Sequence, residues 1–403
     1  MSDIEVIDSE FDCSEIEERM QSYIDSGILS CCSTLLMKGS EVVDYRTFGF
    51  MDLEDKHSLR KDAIYRMYSN TKIVTSVALM SLYDEGAFEL TDPLSKFIPS
   101  FGDITVLKSD AQSAKDIEMS SSPIRINQLL SHSAGLSYGF IEPNSIIDQI
   151  YNTSGIDALG QSSMDLEELC DLLSQQPLAY EPGSSWRYSF ATDVCARLVE
   201  VISGKPFDVF LQERIFDPLN MKDTGFWVPE AKMDRFISIY APIDLFDPMK
   251  PGLVKAEDLL SGPYSSKPKF LSGGGGLVST VADYLSFLKM IVSGGTHNGV
   301  RILMPETLEL MRTNQLAQDV GVSFPMWSMP GTVFGLGFAL KQSLGEDEPG
   351  GALNEYHWGG MAGTHSWMSP TQNITGFCLT QRMPGFWHPF SHEFKALCYK
   401  ITE

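Results

Sequence analysis

The chain has 403 residues, 43% of them hydrophobic and 21% charged, with 33 glycines and 21 prolines. That composition is globular and excludes a disordered, collagen-like or disulfide-stapled chain. Lys and Arg number 30 against 53 Asp and Glu, a formal charge of −23, so no nucleic acid and no anionic membrane is expected as a partner.

The start, Met1 to Asp12, is acidic, with neither a basic nor an apolar leader segment. The seven cysteines are scattered without a Cys-x-x-Cys pair. Together these predict a cytoplasmic protein in a reducing compartment, with no zinc site. Ser14 and Glu17 read as a capping box for an amphipathic helix carrying Ile16, Met20, Tyr23 and Ile24, stopped by Gly27. Cys32 to Met37 and Val42 to Phe50 read as a hairpin turning at Lys38-Gly39-Ser40-Glu41. Ser69 to Asp84 places Ile73, Val74, Val77, Ala78 and Leu82 at helical spacing, which predicts a largely buried helix ending at Gly86.

The middle of the chain predicts helices over Asp165 to Ser174, Phe190 to Ser203 and Phe207 to Phe216. Polar and Pro-rich connectors (Ser109 to Pro123, Pro248 to Pro268) join them without a strand ladder. After Gly273-Gly274-Gly275-Gly276 come a helix over Val281 to Val292 and strands at Phe334 to Leu340, Glu355 to Met361, Thr364 to Met368 and Ile374 to Gln381. A last helix runs from Pro389 to Ile401. This pattern predicts an α/β fold with one antiparallel sheet flanked by helices, built from residues 1–100 and 270–403, and an α-rich domain, 101–269, inserted between them.

Four Ser-x-x-Lys matches occur, Ser58/Lys61, Ser69/Lys72, Ser266/Lys269 and Ser286/Lys289, where chance alone gives about two. Ser58 lies in a charged stretch, Ser266 in a Pro-containing loop, and Ser286 inside a helix where its hydroxyl would bond a backbone carbonyl. Only Ser69 opens a buried helix. There its hydroxyl lies near unsatisfied N–H groups, with Lys72 on the same face. A partly buried ammonium has a lowered pKa and can take the serine proton. Such chemistry also needs a proton relay and an oxyanion site. Tyr188, in Glu181-Pro-Gly-Ser-Ser-Trp-Arg-Tyr-Ser-Phe190, is the relay candidate, although a tyrosine before a helix can equally be packing. Trp358-Gly359-Gly360-Met361 is the oxyanion candidate, although paired glycines can equally mark a bulge.

Gly135-Leu136-Ser137-Tyr138-Gly139 matches the Gly-x-Ser-x-Gly elbow of α/β-hydrolases. That elbow needs a strand before it and a helix after it, and neither is predicted here. The segment reads instead as a cleft wall with Tyr138 touching substrate. His388 and His392 have helical spacing but no third metal ligand, so they read as surface histidines. His132 reads as a structural residue of its turn. Phe324, Trp327 and Phe334 fit either an acyl-pocket rim or core.

Ser69 to Lys72, Leu129-Leu-Ser-His-Ser-Ala-Gly-Leu136, Pro182-Gly-Ser-Ser-Trp-Arg-Tyr-Ser189, Gly273-Gly-Gly-Gly-Leu-Val-Ser279 and Trp358-Gly-Gly360 share the order and approximate spacing of the serine β-lactamase-like superfamily. The chain most resembles its family VIII carboxylesterases, from about Ser14 to the C-terminus. The resemblance implies Ser69 as nucleophile, Lys72 and Tyr188 as a general-base pair, and the backbone N–H groups of Ser69 and Met361 as oxyanion hole. Two positions depart from the β-lactamase pattern: Phe190 replaces the asparagine of Tyr-x-Asn, and Trp358 replaces the lysine of Lys-Thr-Gly. The expected function is therefore hydrolysis of small uncharged esters without metal or cofactor, with Tyr138, Phe190, Trp358, Gly359, Gly360 and His365 around the substrate. A β-lactamase, an acyltransferase, an α/β-hydrolase using Ser137 and a non-catalytic binding homologue are the alternatives.

Overall fold

In the computed structural model, which describes residues 4–156, 163–256, 264–325, 327–346 and 348–402, an eight-stranded antiparallel sheet draws its strands from both ends of the chain. The first part supplies helix α1 (Ser14–Asp25), strands β1 (Cys31–Lys38), β2 (Glu41–Asp52) and β3 (His57–Ser58), and helix α2 (Thr71–Asp84). Helices α3 (Ala191–Ser203) and α4 (Val281–Val292) follow. The last part supplies β4 (Thr332–Phe334), β5 (Ala339–Lys341), β6 (Tyr356–Gly360), β7 (Thr364–Ser369), β8 (Ile374–Leu379) and helix α5 (Pro389–Thr402). The strand order is β4-β5-β6-β7-β8-β1-β2-β3. The β1/β8 pair, with Ser33 opposite Leu379 and Leu35 opposite Phe377, joins the two ends.

Side chains alternate along each strand, so the sheet has two buried faces. Leu35, Trp358, Met368, Phe377 and Leu379 belong to the large core shared with α2 and α3, which we call the front. Cys32, Leu36, Trp367, Ile374 and Cys378 belong to a second core at the back, with Ile16, Met20 and Tyr23 of α1 and Phe390 and Phe394 of α5. Every residue of α2 from Thr71 to Leu82 is buried, the polar Thr71, Lys72, Thr75, Ser76 and Ser81 together with the apolar residues around them.

Several local expectations are corrected. The α1 cap is Cys13, with no side-chain bond, and Asp12 rather than Ser14 supplies the local acceptor, to the Ser14 N–H at 3.0 Å. Packing of its apolar stripe holds this helix. The expected strand Phe334 to Leu340 is a hairpin, because the chain reverses between Gly335 and Gly337. Gly337 has φ +96° and its Cα lies hard against Ser76 of α2, where no side chain fits. The middle of the chain contains two small ribbons, Thr105–Leu107 with Ile117–Met119 and Tyr240–Pro242 with Leu253–Lys255, each with one strand in a connector. Residues 257–263 of the second connector lie outside the described residues. The expected helix Phe207 to Phe216 is α-helical to Leu211 and continues as a π-turn over Gln212–Phe216. Among the described residues no helix is long and apolar enough to cross a membrane.

Candidate active site

Tyr68 to Asn70 form a 3-10 turn that leads into α2. Tyr68 is left-handed, with φ +46°, a costly conformation for a side chain with a Cβ. Neighbouring elements hold it in place. Thr364 of β7 donates to the Met67 carbonyl at 2.8 Å, Ser366 donates to Asn70 Oδ1 at 2.8 Å, and Tyr284 of α4 donates to the Asn70 carbonyl at 3.1 Å. At Gly360 a Cβ would stand 2.5 Å from the Met67 carbonyl oxygen and 2.9 Å from Tyr68 Cβ. The glycine therefore lets β6 lie directly against the serine turn. Met361, next in the chain, packs with Tyr68 on a small cluster of Ile239, Ala362 and Met383.

Ser69 is half-buried and Lys72 fully buried. Lys72 Nζ lies 3.3 Å from Ser69 Oγ, 2.8 Å from the Tyr138 hydroxyl and 2.6 Å from the Gly274 carbonyl. It also sits 4.5 Å from the Tyr188 ring centroid. Desolvation pushes its pKa down to about 7, and Asp193 opposes this by its charge. The Gly273–Gly276 run, one of the motifs behind the family resemblance, thus supplies a lysine acceptor.

The Tyr188 phenol is raised by burial and opposed by hydrogen bonds with Ser69 and Trp358. Trp358 Nε1 donates to Tyr188 Oη at 3.2 Å. The expected substrate contact at Trp358 is thereby a partner of Tyr188, with its indole N–H already engaged. Phe190 is buried against Tyr138, ring centroids 4.7 Å apart, and Tyr138 stacks on Phe140 at 5.3 Å. Phe324, half-buried, lies 5.5 Å from the Tyr188 ring and 6.0 Å from Trp327, while Phe334 is buried core 5.2 Å from Trp358. The rim and core readings thus divide between these residues. Gly359 must be glycine because Phe386 covers its Cα. His132, left-handed at φ +56°, places its ring 5.0 Å from Tyr188 and its Nδ1 3.2 Å from Ser189 Oγ.

Other expectations need correction. His365 pairs with Gly359 across β6/β7, and strand alternation turns its ring to the back of the sheet. There it meets Ser391 Oγ at 3.1 Å and His357 Nδ1 at 3.3 Å, away from Ser69. His388 and His392 are not surface residues: burial pushes both to a pKa of about 4. His388 packs on Arg382, and His392 Nε2 lies 2.7 Å from the Phe386 carbonyl oxygen. Ser137 is fully buried, donates to Asp148 and accepts from Arg187 Nε at 2.7 Å, and no strand precedes it. Of the other Ser-x-x-Lys pairs, Ser58 is exposed, Lys269 is paired with Glu168 at 2.6 Å, and Ser286 bonds the Ala282 carbonyl at 3.4 Å. Asp193 was the residue missed. As an acidic residue in the first turn of α3 it carries only the ordinary signal of a helix start.

The sheet built from both ends and the Ser-x-x-Lys turn wedged between its front face and the helices define a β-lactamase-like fold. The chain belongs to the beta-lactamase family, whose model matches residues 16–395. It is 31% identical over 367 residues to Protein Rv1367c of Mycobacterium tuberculosis strain H37Rv, covering 89% of this chain and 88% of that one. It is 27% identical over 376 residues to Esterase EstB of Burkholderia gladioli, covering 88% of each. Among solved structures it superposes on EstCE1, described as a hydrolase with promiscuous acyltransferase activity. The TM-score is 0.81 at 25% identity, over 96% of this chain and 98% of that one.

Proposed function

We propose that the protein is a serine carboxylesterase that hydrolyses small, uncharged, short-to-medium acyl esters through an acyl-enzyme on Ser69. The observation that carries this reading is the buried Lys72 amine 3.3 Å from Ser69 Oγ, with its pKa brought near neutrality. A neutral amine has two N–H donors and one lone pair. The Gly274 carbonyl can only accept, so it takes one donor, and the Tyr138 oxygen takes the second. The lone pair is left for the Ser69 proton. Ser69 Oγ attacks the ester carbonyl while its proton moves to Lys72. The N–H groups of Ser69 and Met361 hold the oxyanion. Tyr188, kept neutral by its raised pKa, relays a proton to the departing alkoxide. Water then repeats these steps on the acyl-enzyme and releases the acid.

Similarity to EstB and EstCE1 supports hydrolase activity. The aromatic surroundings of Tyr188 favour apolar acyl groups, by about 0.8 kcal/mol per buried CH₂. Trp358 and Phe190 stand where related β-lactamases place lysine and asparagine, which disfavours an anionic β-lactam. Transfer of the acyl group to an alcohol is the second reading, favoured by the likeness to EstCE1. The test is intact mass after exposure to an activated alkyl phosphonate. One adduct is expected on the wild-type protein and none on Ser69→Ala. Adduct formation on Ser69→Ala overturns the assignment, and an unlabelled wild-type protein supports a binding homologue instead.

A further inference from the structure

We propose that Asp193 is a positioning residue for this chemistry: it fixes the Ser272–Gly276 turn so that the Gly274 carbonyl engages one N–H of Lys72 and the amine's free electron pair faces Ser69. The proposal rests on the acyl-enzyme reading and deepens it.

Asp193 lies in the first turn of α3, where the helix dipole favours a carboxylate, and is buried. Its Oδ1 accepts from Ser272 Oγ at 2.7 Å and from the Gly274 N–H at 3.0 Å. One residue's amide is thus held by Asp193 while its carbonyl receives Lys72 at 2.6 Å. From the other side Thr75 of α2 donates to the Gly273 carbonyl at 2.7 Å. The turn has no room to shift. A Cβ at Gly274 would stand 2.6 Å from Asp193 Oδ2 and 2.7 Å from the Tyr138 oxygen, and one at Gly273 would stand 2.6 Å from Ala196 Cβ. The glycine turn is therefore held to α3 by the Asp193 carboxylate and to α2 by Thr75 and Lys72.

The carboxylate also acts by its charge. Among the described residues, the ionisable groups facing Lys72 are Asp193 on α3, Tyr138 and His132 from the 131–140 loop, and Tyr188 before α3. Burial raises both phenols and lowers the imidazole, so these three are neutral near pH 7. Asp193 alone favours the ammonium and limits how far burial depresses Lys72. Removing the charge while keeping the acceptor oxygen must then lower the pKa of Lys72 further.

The test compares wild type, Asp193→Asn, Asp193→Ala and Ser272→Ala by phosphonate labelling rate, kcat and KM for p-nitrophenyl butyrate, and the pH dependence of kcat/KM. Asp193→Asn is expected to move the acid limb down by about half a pH unit or more, the direction set by loss of a neighbouring negative charge. Asp193→Ala is expected to lower kcat and labelling together by about tenfold or more, with KM within about threefold, because a lost positioning contact acts on the transition state. An acid limb that stays in place or moves up in Asp193→Asn overturns the proposal, since a purely structural carboxylate would leave it with Lys72 unchanged. If both Asp193 variants fail to fold, Ser272→Ala decides: labelling slowed about threefold supports the proposal, and an unchanged rate overturns it. A wild-type protein that takes no adduct on Ser69 defeats the acyl-enzyme reading itself. Labelling of Ser69 with an unmoved Asp193→Asn limb defeats only the positioning role.

Discussion

The turn at Ser69 and the loop at Ser137 each present a serine in a hydrolase-type motif, and the structure treats them in opposite ways. Ser69 is half-buried beside an amine that desolvation has brought close to neutrality. Ser137 is fully buried between the carboxylate of Asp148 and the guanidinium of Arg187, which itself bridges Glu142, Ser145 and Asp148. A hydroxyl that donates to a carboxylate and accepts from a guanidinium has its only proton committed. The Ser137 network instead ties the loop carrying Tyr138 to the segment carrying Tyr188, and both tyrosines border Lys72. One serine lies beside a desolvated amine and the other belongs to the frame around that amine.

The largest expected effect separates these two serines. Ser69→Ala is expected to lower kcat/KM for p-nitrophenyl butyrate by at least about 10³-fold, while Ser137→Ala stays within about tenfold because it touches no reacting atom. Ser137→Ala is instead expected to cost about 1–3 kcal/mol of stability in a denaturant titration, the price of leaving Asp148 and Arg187 short of a partner. Equal losses of activity in both variants would end the distinction.

Next come the two groups proposed to act on the Ser69 proton. Lys72→Ala and Tyr188→Phe are each expected to lower kcat by about 10²- to 10⁴-fold with the fold retained, the usual range for general acid–base groups. A Tyr188→Phe enzyme within a few-fold of wild type would make Tyr188 packing, like its ring neighbours.

The pH profile tests the same site without mutation. Lys72 must be neutral to accept the serine proton, and desolvation pushes its pKa down to about 7. The rate is thus expected to be full above that value and to fall about tenfold per pH unit well below it. Stopped hydrolysis assays from pH 5 to 9 measure this limb. A flat profile across pH 6 to 8 would show that a group other than Lys72 takes the proton. The smallest effect is expected from Trp358→Phe, which keeps an aromatic ring but removes the donor to Tyr188. One net hydrogen bond is worth about 1 kcal/mol, or roughly fivefold in kcat. A loss as large as that of Tyr188→Phe would make the indole N–H part of the proton path.

A second contrast, between the two faces of β6 and β7, shows what limits reading a site from sequence. The front carries Trp358, Thr364 and Ser366, which hold Tyr188 and the Ser69 turn. The back carries His357 and His365, with Glu355 reaching Tyr399 at 2.6 Å and Lys395 at 2.8 Å. Histidine looks the more reactive residue type, yet both of these are held neutral by burial on the face away from the Ser69 turn. Facing is set by strand register, and a one-residue slip would exchange the two sets.

The sequence by itself determined the elements with strong local periodicity. The hairpin Cys31–Asp52, the buried helix after Ser69, the C-terminal strands and the last helix are all read from spacing that the chain carries locally. The contact between Ser69 and Lys72 was legible for the same reason, since a spacing of three residues along a helical turn places them on one face. Only the tertiary structure decided the rest. It turned Phe334 to Leu340 into a hairpin against α2, sent His365 to the back of the sheet, closed the Ser137 hydroxyl into an ion network, and brought Gly274 and Asp193, 202 and 121 positions beyond Lys72 in the chain, to the amine. These outcomes depend on which distant segments pack together and how much water they exclude. Burial and partner geometry decide whether a hydroxyl or an amine is reactive, and neither is a property of the local sequence.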